Sequence, residues 1–242
     1  MRGLFAFAIL CLGASIPAQN FALHYNGLQE SVIPDCPALD ISGEITIECW
    51  VKPDDQFPER MFRFLVSHHG GTDGYFLLLN RDHLVKAADV GGVTTVHIPT
   101  GKWSHIAYAR SDKLAKLYVN GKLAFTQPVS GGIRPFTDHQ LCIGCSSFMG
   151  DPGNQLTHFS GDLDEVRIWN RALNRYQIRA SMRRMLRGNE RGLIVYLPLD
   201  EGKGDMAFNK TGKTPPLRLG RSYRPDEWDP TWTAGVRFSH RK

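Results

Sequence analysis

Cysteine is scarce in this chain, with five in 242 residues, too few for a disulfide framework at this length. Long apolar runs are scarce too. Beyond the first eighteen residues, no stretch approaches the roughly 20 apolar residues that a membrane-spanning helix needs. No Gly-rich phosphate-binding loop follows an expected strand. Charge of one sign is not strongly in excess: 29 Lys and Arg against 24 Asp and Glu leave a net charge of +5. That is modest for a nucleic-acid binder, and no nucleic-acid partner is expected. Apolar residues make up 42% and charged residues 22%, which excludes collagen-like repeats and extended disorder.

The first segment reads as a processing signal. Met1, Arg2 and Gly3 form a short positive start. Residues 4–14 are uncharged and mostly apolar, and after Arg2 the next charged side chain is Glu30. This is the pattern of a secretory signal peptide, with cleavage expected after Ala18. Cys11 follows Leu10 rather than the small residue of a lipid anchor. The remainder, 19–242, is expected to be one domain without a membrane span, secreted to the extracellular space or the periplasm.

Strands dominate the remainder of the chain. Ile45, Ile47, Cys49 and Val51 alternate with Thr46, Glu48, Trp50 and Lys52, the period of a strand with one core face. Residues 75–80 form a continuous apolar run. Residues 93–98 and 103–110 are rich in β-branched or aromatic side chains, and 141–144, 163–169 and 193–199 read as further strands. Asn120-Gly121 lies between 116–119 and 122–125, a hairpin signal because both turn positions require positive φ. Short strands with frequent turns indicate an all-β sandwich. One helix is expected after Asn174, an N-cap with Gln177 at the reciprocal capping-box position. Ile178, Met182, Met185 and Leu186 give it one apolar face, and Gly188 a stop.

Several segments together resemble the laminin G-like, concanavalin A-like lectin family. They are Trp50-Val-Lys-Pro53, 103–107 (Trp-Ser-His-Ile-Ala), 117–122 (Leu-Tyr-Val-Asn-Gly-Lys) and, most specifically, 160–173 leading into the helix. The resemblance covers roughly 21–208 and implies a two-sheet antiparallel jelly roll. Segments 192–204 and 229–232 resemble pieces that open a unit in this family, yet here they come last. Residues 193–242 are therefore expected to complete the same sandwich.

Catalytic chemistry is sparse. Family members that hydrolyse glycans carry alternating carboxylates on one strand, and no Glu-x-Asp-x-x-Glu pattern occurs. Glu48 is a lone carboxylate that reads as a solvated strand position. The stretch Ser67-His68-His69-Gly70-Gly71 suggests metal or acid–base chemistry, but adjacent histidines would point to opposite faces of a strand and not easily share one metal, and a surface turn is the favoured reading. In a regular strand Asp162 and Asp164 share a face with core-directed Val166 and Ile168. An inward carboxylate must be paired or metal-bound. The resemblance, in which a calcium often sits near this strand, makes Asp162, Asp164 and Asn26 candidate ligands of a structural Ca2+. An Asp satisfied by turn amides or an Arg is the alternative.

In the related pentraxins an acidic and amide cluster follows a strand like 141–144. Here Cys145-Ser146-Ser147 stands there, with Asp151, Asn154 and Gln155 further along, so the chain departs from the pentraxin pattern of calcium-mediated binding. Pentraxins also bridge the position of Cys49 to that of Ala107, and Ala cannot form that bond. Cys49 then reads as a small buried apolar residue. Cys36, Cys49, Cys142 and Cys145 allow three full pairings, and Cys142-Ile-Gly-Cys145 is only half of a zinc spacing. Asn209-Lys-Thr211 matches an N-glycosylation sequon.

Charge is concentrated in one place. From Arg171 to Arg191 there are seven Arg and one Glu, which leaves the rest of the chain slightly acidic. Arg175, Arg179 and Arg183 follow helical spacing, with Arg187 nearby. They read either as a solvated helix face or as an anion or glycan site, because guanidinium forks suit sulfate, phosphate and carboxylate. The expectation is a non-catalytic lectin-like module recognising a glycan or an extracellular protein. A glycoside hydrolase or lyase on the same fold, and a structural or adhesive component, are the alternatives.

Overall fold

The computed structural model describes residues 20–56, 61–70, 72–88, 94–146, 157–222 and 224–238. The expected signal segment 1–18, Val93, and Ser147, Asp151, Asn154 and Gln155 lie outside the described residues. Among the described residues two antiparallel sheets face each other. One runs, in spatial order, β15 (Thr231–Ala234), β1 (Phe21–Asn26), β11 (Ser160–Trp169), β3 (Ile45–Pro53), β7 (Ser104–Arg110), β8 (Leu114–Val119) and β9 (Lys122–Pro128). β12 (Leu193–Leu197) pairs with the far half of β11. The other sheet runs β13 (Met206–Ala207), β14 (Leu217–Leu219), β2 (Ser31–Ile33), β10 (Leu141–Ile143), β4 (Phe62–Gly70), β5 (Asp73–Asn80) and β6 (Val85–Ala87). The fold is a concanavalin A-like sandwich.

The alternation in β3 places Ile45, Ile47, Cys49 and Val51 in the core between the sheets, with Leu65, Tyr75, Leu77, Ile106, Leu163 and Val166. Each large side chain buried this way contributes about 1.5–3 kcal/mol. The β8–β9 hairpin turns through Asn120 (φ 51°) and Gly121 (φ 70°), the left-handed pair its strands' twist demands. The last fifty residues add strands to both sheets: β12 to β11, β13 and β14 to β2, and β15 to β1.

The other face of β3 is also covered. Helix α1 (Arg175–Ser181) packs Ile178 onto a smaller apolar cluster of Ala107, Tyr118, Trp169, Leu173, Leu186, Leu193 and Tyr196. Asn174 and Gln177 form the expected capping box. The helix is shorter than the apolar spacing suggests, and Met185 is exposed. Its released carbonyls find partners on the sheet. Trp50 Nε1 donates to Met182 O at 3.2 Å, and Arg167 donates to Arg184 O at 2.9 Å.

Three local expectations change. Residues 94–98 form no strand; they make one isolated bridge, His97 to Leu84, while Val96 and Ile98 enter the core. His68 and His69 belong to β4, not to a surface turn. His68 stacks on Tyr75 and His69 on Phe64, so apolar rings on each face carry the strand through both. β11 is not regular. Its register against β3 slips between Asp164 and Arg167, with Glu165 at φ 53°. One extra residue inverts the alternation, so Asp162 and Asp164 face away from the core that holds Leu163, Val166 and Ile168.

Candidate functional site

The β8–β9 hairpin and the start of α1 enclose a groove of about 550 Å³. Lys116, Tyr118, Lys122 and Leu123 line it from the hairpin, and Asn174, Arg175, Tyr176 and Arg179 from the helix. Gly121 sits at the junction. A Cβ there would stand 2.6 Å from Arg179 Cγ and 2.9 Å from Met182 Sδ, so glycine permits the hairpin tip to touch the helix. Tyr176 is 70% exposed, and the Arg175 guanidinium lies over its ring at 5.1 Å. Tyr118 presents a mostly buried ring, and burial raises its phenol pKa despite the opposing charge of Arg175.

Four cationic side chains thus share one wall system with two tyrosines. Of the arginines singled out by spacing, Arg175 and Arg179 line the groove. Arg183 and Arg187 are exposed but lie past the end of the helix and outside it. Lys116, Lys122 and Tyr118 were legible as parts of a hairpin, but nothing in the sequence marked them as binding residues. They join the site through a contact between hairpin and helix some sixty residues apart, which no local pattern records.

Beneath the helix lies a polar cluster, and here Glu48 departs from its reading as a solvated position. Its side chain is 0% exposed. It accepts from Trp169 Nε1 at 3.1 Å and Ser181 Oγ at 3.0 Å, and it faces His105 at 3.4 Å and Arg167 at 3.6 Å. Burial opposes its ionisation, but His105 and Arg167 outweigh that and hold its carboxyl below the usual range. Arg167 also pairs with Glu165, which accepts from Tyr196 Oη at 3.1 Å. Burial pushes Glu165 up to about 7 despite that guanidinium, and holds His105 below its ordinary value. One guanidinium between two carboxylates is balanced when one of them keeps a proton. These carboxylates fasten the helix; they are sealed from any substrate.

The calcium candidates each have partners within the chain. Asp162 stands cross-strand from both His24 and Lys52, and its oxygens meet His24 Nδ1 at 2.7 Å and Lys52 Nζ at 3.0 Å. Asn26 Oδ1 accepts from Leu28 N at 3.0 Å within its own turn. Asp164 Oδ2 accepts from Asn20 Nδ2 and Val236 N, while Oδ1 is buried without a hydrogen bond. Burial, then the charge of Glu165, pushes the Asp164 carboxyl well up. Asp162 and Asn26 are thus engaged by neighbouring groups of the chain, and Asp164 through one of its two oxygens. Asn209 is likewise committed inside the fold: Nδ2 donates to Ile194 O and Thr214 Oγ1, so the sequon's amide is not free for a glycan. Cys49 is buried in the core as a small apolar side chain.

The sequence profile of the concanavalin A-like lectin/glucanases superfamily matches residues 26–179. The chain belongs to this superfamily. Among solved structures with the superfamily sandwich, it is similar to a candidate carbohydrate-binding protein from Bacteroides ovatus, at 18% identity and a TM-score of 0.70. That match covers 90% of this chain and 60% of the other, so the chain spans less than two thirds of that relative. It is also similar to a heptameric SAP-like pentraxin from Limulus polyphemus, at 16% identity and a TM-score of 0.53, covering 86% of this chain and 98% of that one. Both likenesses are likenesses of fold. No curated protein sequence matches the chain.

Proposed function

We propose that this protein is a secreted, non-catalytic, lectin-like module that holds an anionic glycan in the groove between the β8–β9 hairpin and α1. The observation that carries the reading is the lining: Lys116, Lys122, Arg175 and Arg179 around Tyr118 and Tyr176. Guanidinium forks bind sulfate and carboxylate with two parallel hydrogen bonds. An exposed tyrosine ring offers the flat apolar face on which a sugar ring can rest. The groove is lined by cations, aromatics, an amide and apolar groups, a surface suited to holding an anion rather than to acid–base cleavage of a glycosidic bond. The carbohydrate-binding description of the Bacteroides ovatus relative supports a glycan as the ligand class.

Retention on an immobilised sulfated polysaccharide tests the reading, with a neutral polysaccharide as control. The protein should be retained on the sulfated matrix alone. The Arg175→Glu/Arg179→Glu variant should elute at much lower salt. Unchanged elution of that variant would remove the groove from the account.

A further inference from the structure

A second site lies on the other sheet, where a short 3-10 turn, Pro37–Leu39, is flanked by Asp35 and Asp40. A carboxylate oxygen from each acid and a ring nitrogen of His68, on β4, all lie within 4.8 Å of one another. Asp35 is exposed, Asp40 half-buried and His68 fully buried. The histidine is fixed in place. Its ring stacks on Tyr75 with centroids 5.1 Å apart and meets Phe136 edge-on at 6.0 Å. Its Nε2 faces the carbonyl of His139 at 3.0 Å.

A carbonyl only accepts, so Nε2 carries the proton and Nδ1 is left as a bare lone pair. Nδ1 is buried and has no hydrogen-bond partner, and the same is true of Asp40 Oδ1. The nearby hydroxyl of Tyr75 cannot help, since it donates to Leu39 O at 3.2 Å. Two carboxylates and the His68 imidazole therefore converge, with His68 Nδ1 and Asp40 Oδ1 left without a donor or ligand. Buried polar atoms without partners cost about 1–3 kcal/mol each, and a divalent cation would satisfy all three ligands at once.

We propose that Asp35, Asp40 and His68 bind a divalent transition-metal ion, Zn2+ by the character of the donors. One imidazole and two carboxylates suit zinc, whereas calcium takes oxygen ligands alone. The contact from His68 to a backbone carbonyl is the outer support that orients metal-binding imidazoles. Ligands on one tetrahedral Zn2+ stand about 3.4 Å apart, so a contraction of little more than about 1 Å by the two outer carboxylates closes the set. Exposed Asp35 provides the entry path.

The test uses full-chain protein freed of metal with a chelator, then titrated with Zn2+ by calorimetry. One Zn2+ per chain is expected, with a rise in the unfolding midpoint and no displacement by a large excess of Ca2+. Asp35→Asn and Asp40→Asn should each weaken binding at least about tenfold, since each removes a direct ligand. His68→Phe keeps the ring stack but removes the donor, and should abolish both the binding and the midpoint shift. The proposal is overturned if the wild-type chain takes up no Zn2+, if the Asp35→Asn/Asp40→Asn variant binds it equally well, or if Ca2+ displaces it.

Discussion

Replacing Glu48 by Ala separates a sealed anchor from a solvated strand residue. The substitution removes the acceptor for Trp169 Nε1 and Ser181 Oγ and a counter-charge of Arg167, all at fully or almost fully buried positions. Removing one partner of a buried ion pair costs about 3–5 kcal/mol, because the remaining charge is left uncompensated. Glu165 still pairs with Arg167, which offsets part of that. The two orphaned donors cost about 1–3 kcal/mol each. A net loss of about 3–5 kcal/mol is expected, or a fall in Tm of roughly 6–20 °C for a chain of this size. Urea unfolding followed by tryptophan fluorescence measures it, with an unchanged m-value marking a change in stability alone. A loss within about 0.5 kcal/mol, the ordinary effect of a surface substitution, would refute the anchoring argument.

The same contacts set three further outcomes. Glu165 has a raised carboxyl, about 7 in the fold, so its contribution is present at low pH and is lost as pH rises from about 4.5 through 7. His69, lowered by burial to about 4, acts oppositely: its contribution is present above about 6.5 and is lost as pH falls toward 4. Between pH 5 and 7 these slopes oppose, so Glu165→Gln should show stability rising more steeply with pH than the wild type; a slope equal to the wild type's would contradict the raised carboxyl. Gly121→Ala places a Cβ at positive φ and against Arg179. It should cost about 1–2 kcal/mol and weaken polyanion retention, and full stability with full retention would contradict the hairpin–helix contact. Deleting 193–242 removes β12–β15 and exposes edges of both sheets. The truncated chain should fail to fold in soluble form, and a cooperative unfolding transition from it would contradict this.

Legibility in the sequence tracked distance along the chain. β3, the Asn120-Gly121 turn and the Asn174 capping box each rest on neighbours within a few residues, and all three could be read. Alternation marked Glu48 as pointing away from the main core, but it could not reveal that a helix covers that face. The partners of Glu48, Trp169 and Ser181, lie 121 and 133 residues away. The Asp162 and Asp164 expectation failed on a single residue: the bulge at Glu165 reverses the strand's faces, and a shift of one is all that inversion takes. The arginine stripe was visible, but the lysines and tyrosine that complete the groove arrive from a separate hairpin. The Asp35, Asp40 and His68 cluster joins a loop to a strand about thirty residues on, and the pair of histidines gave only a hint of it.

Binding on a glycan array decides whether the groove holds an anionic glycan. The protein should label sulfated or carboxylated glycans and pass over neutral ones, and Arg175→Glu/Arg179→Glu should remove the labelling. Binding to no glycan, or binding that survives the variant undiminished, would contradict this.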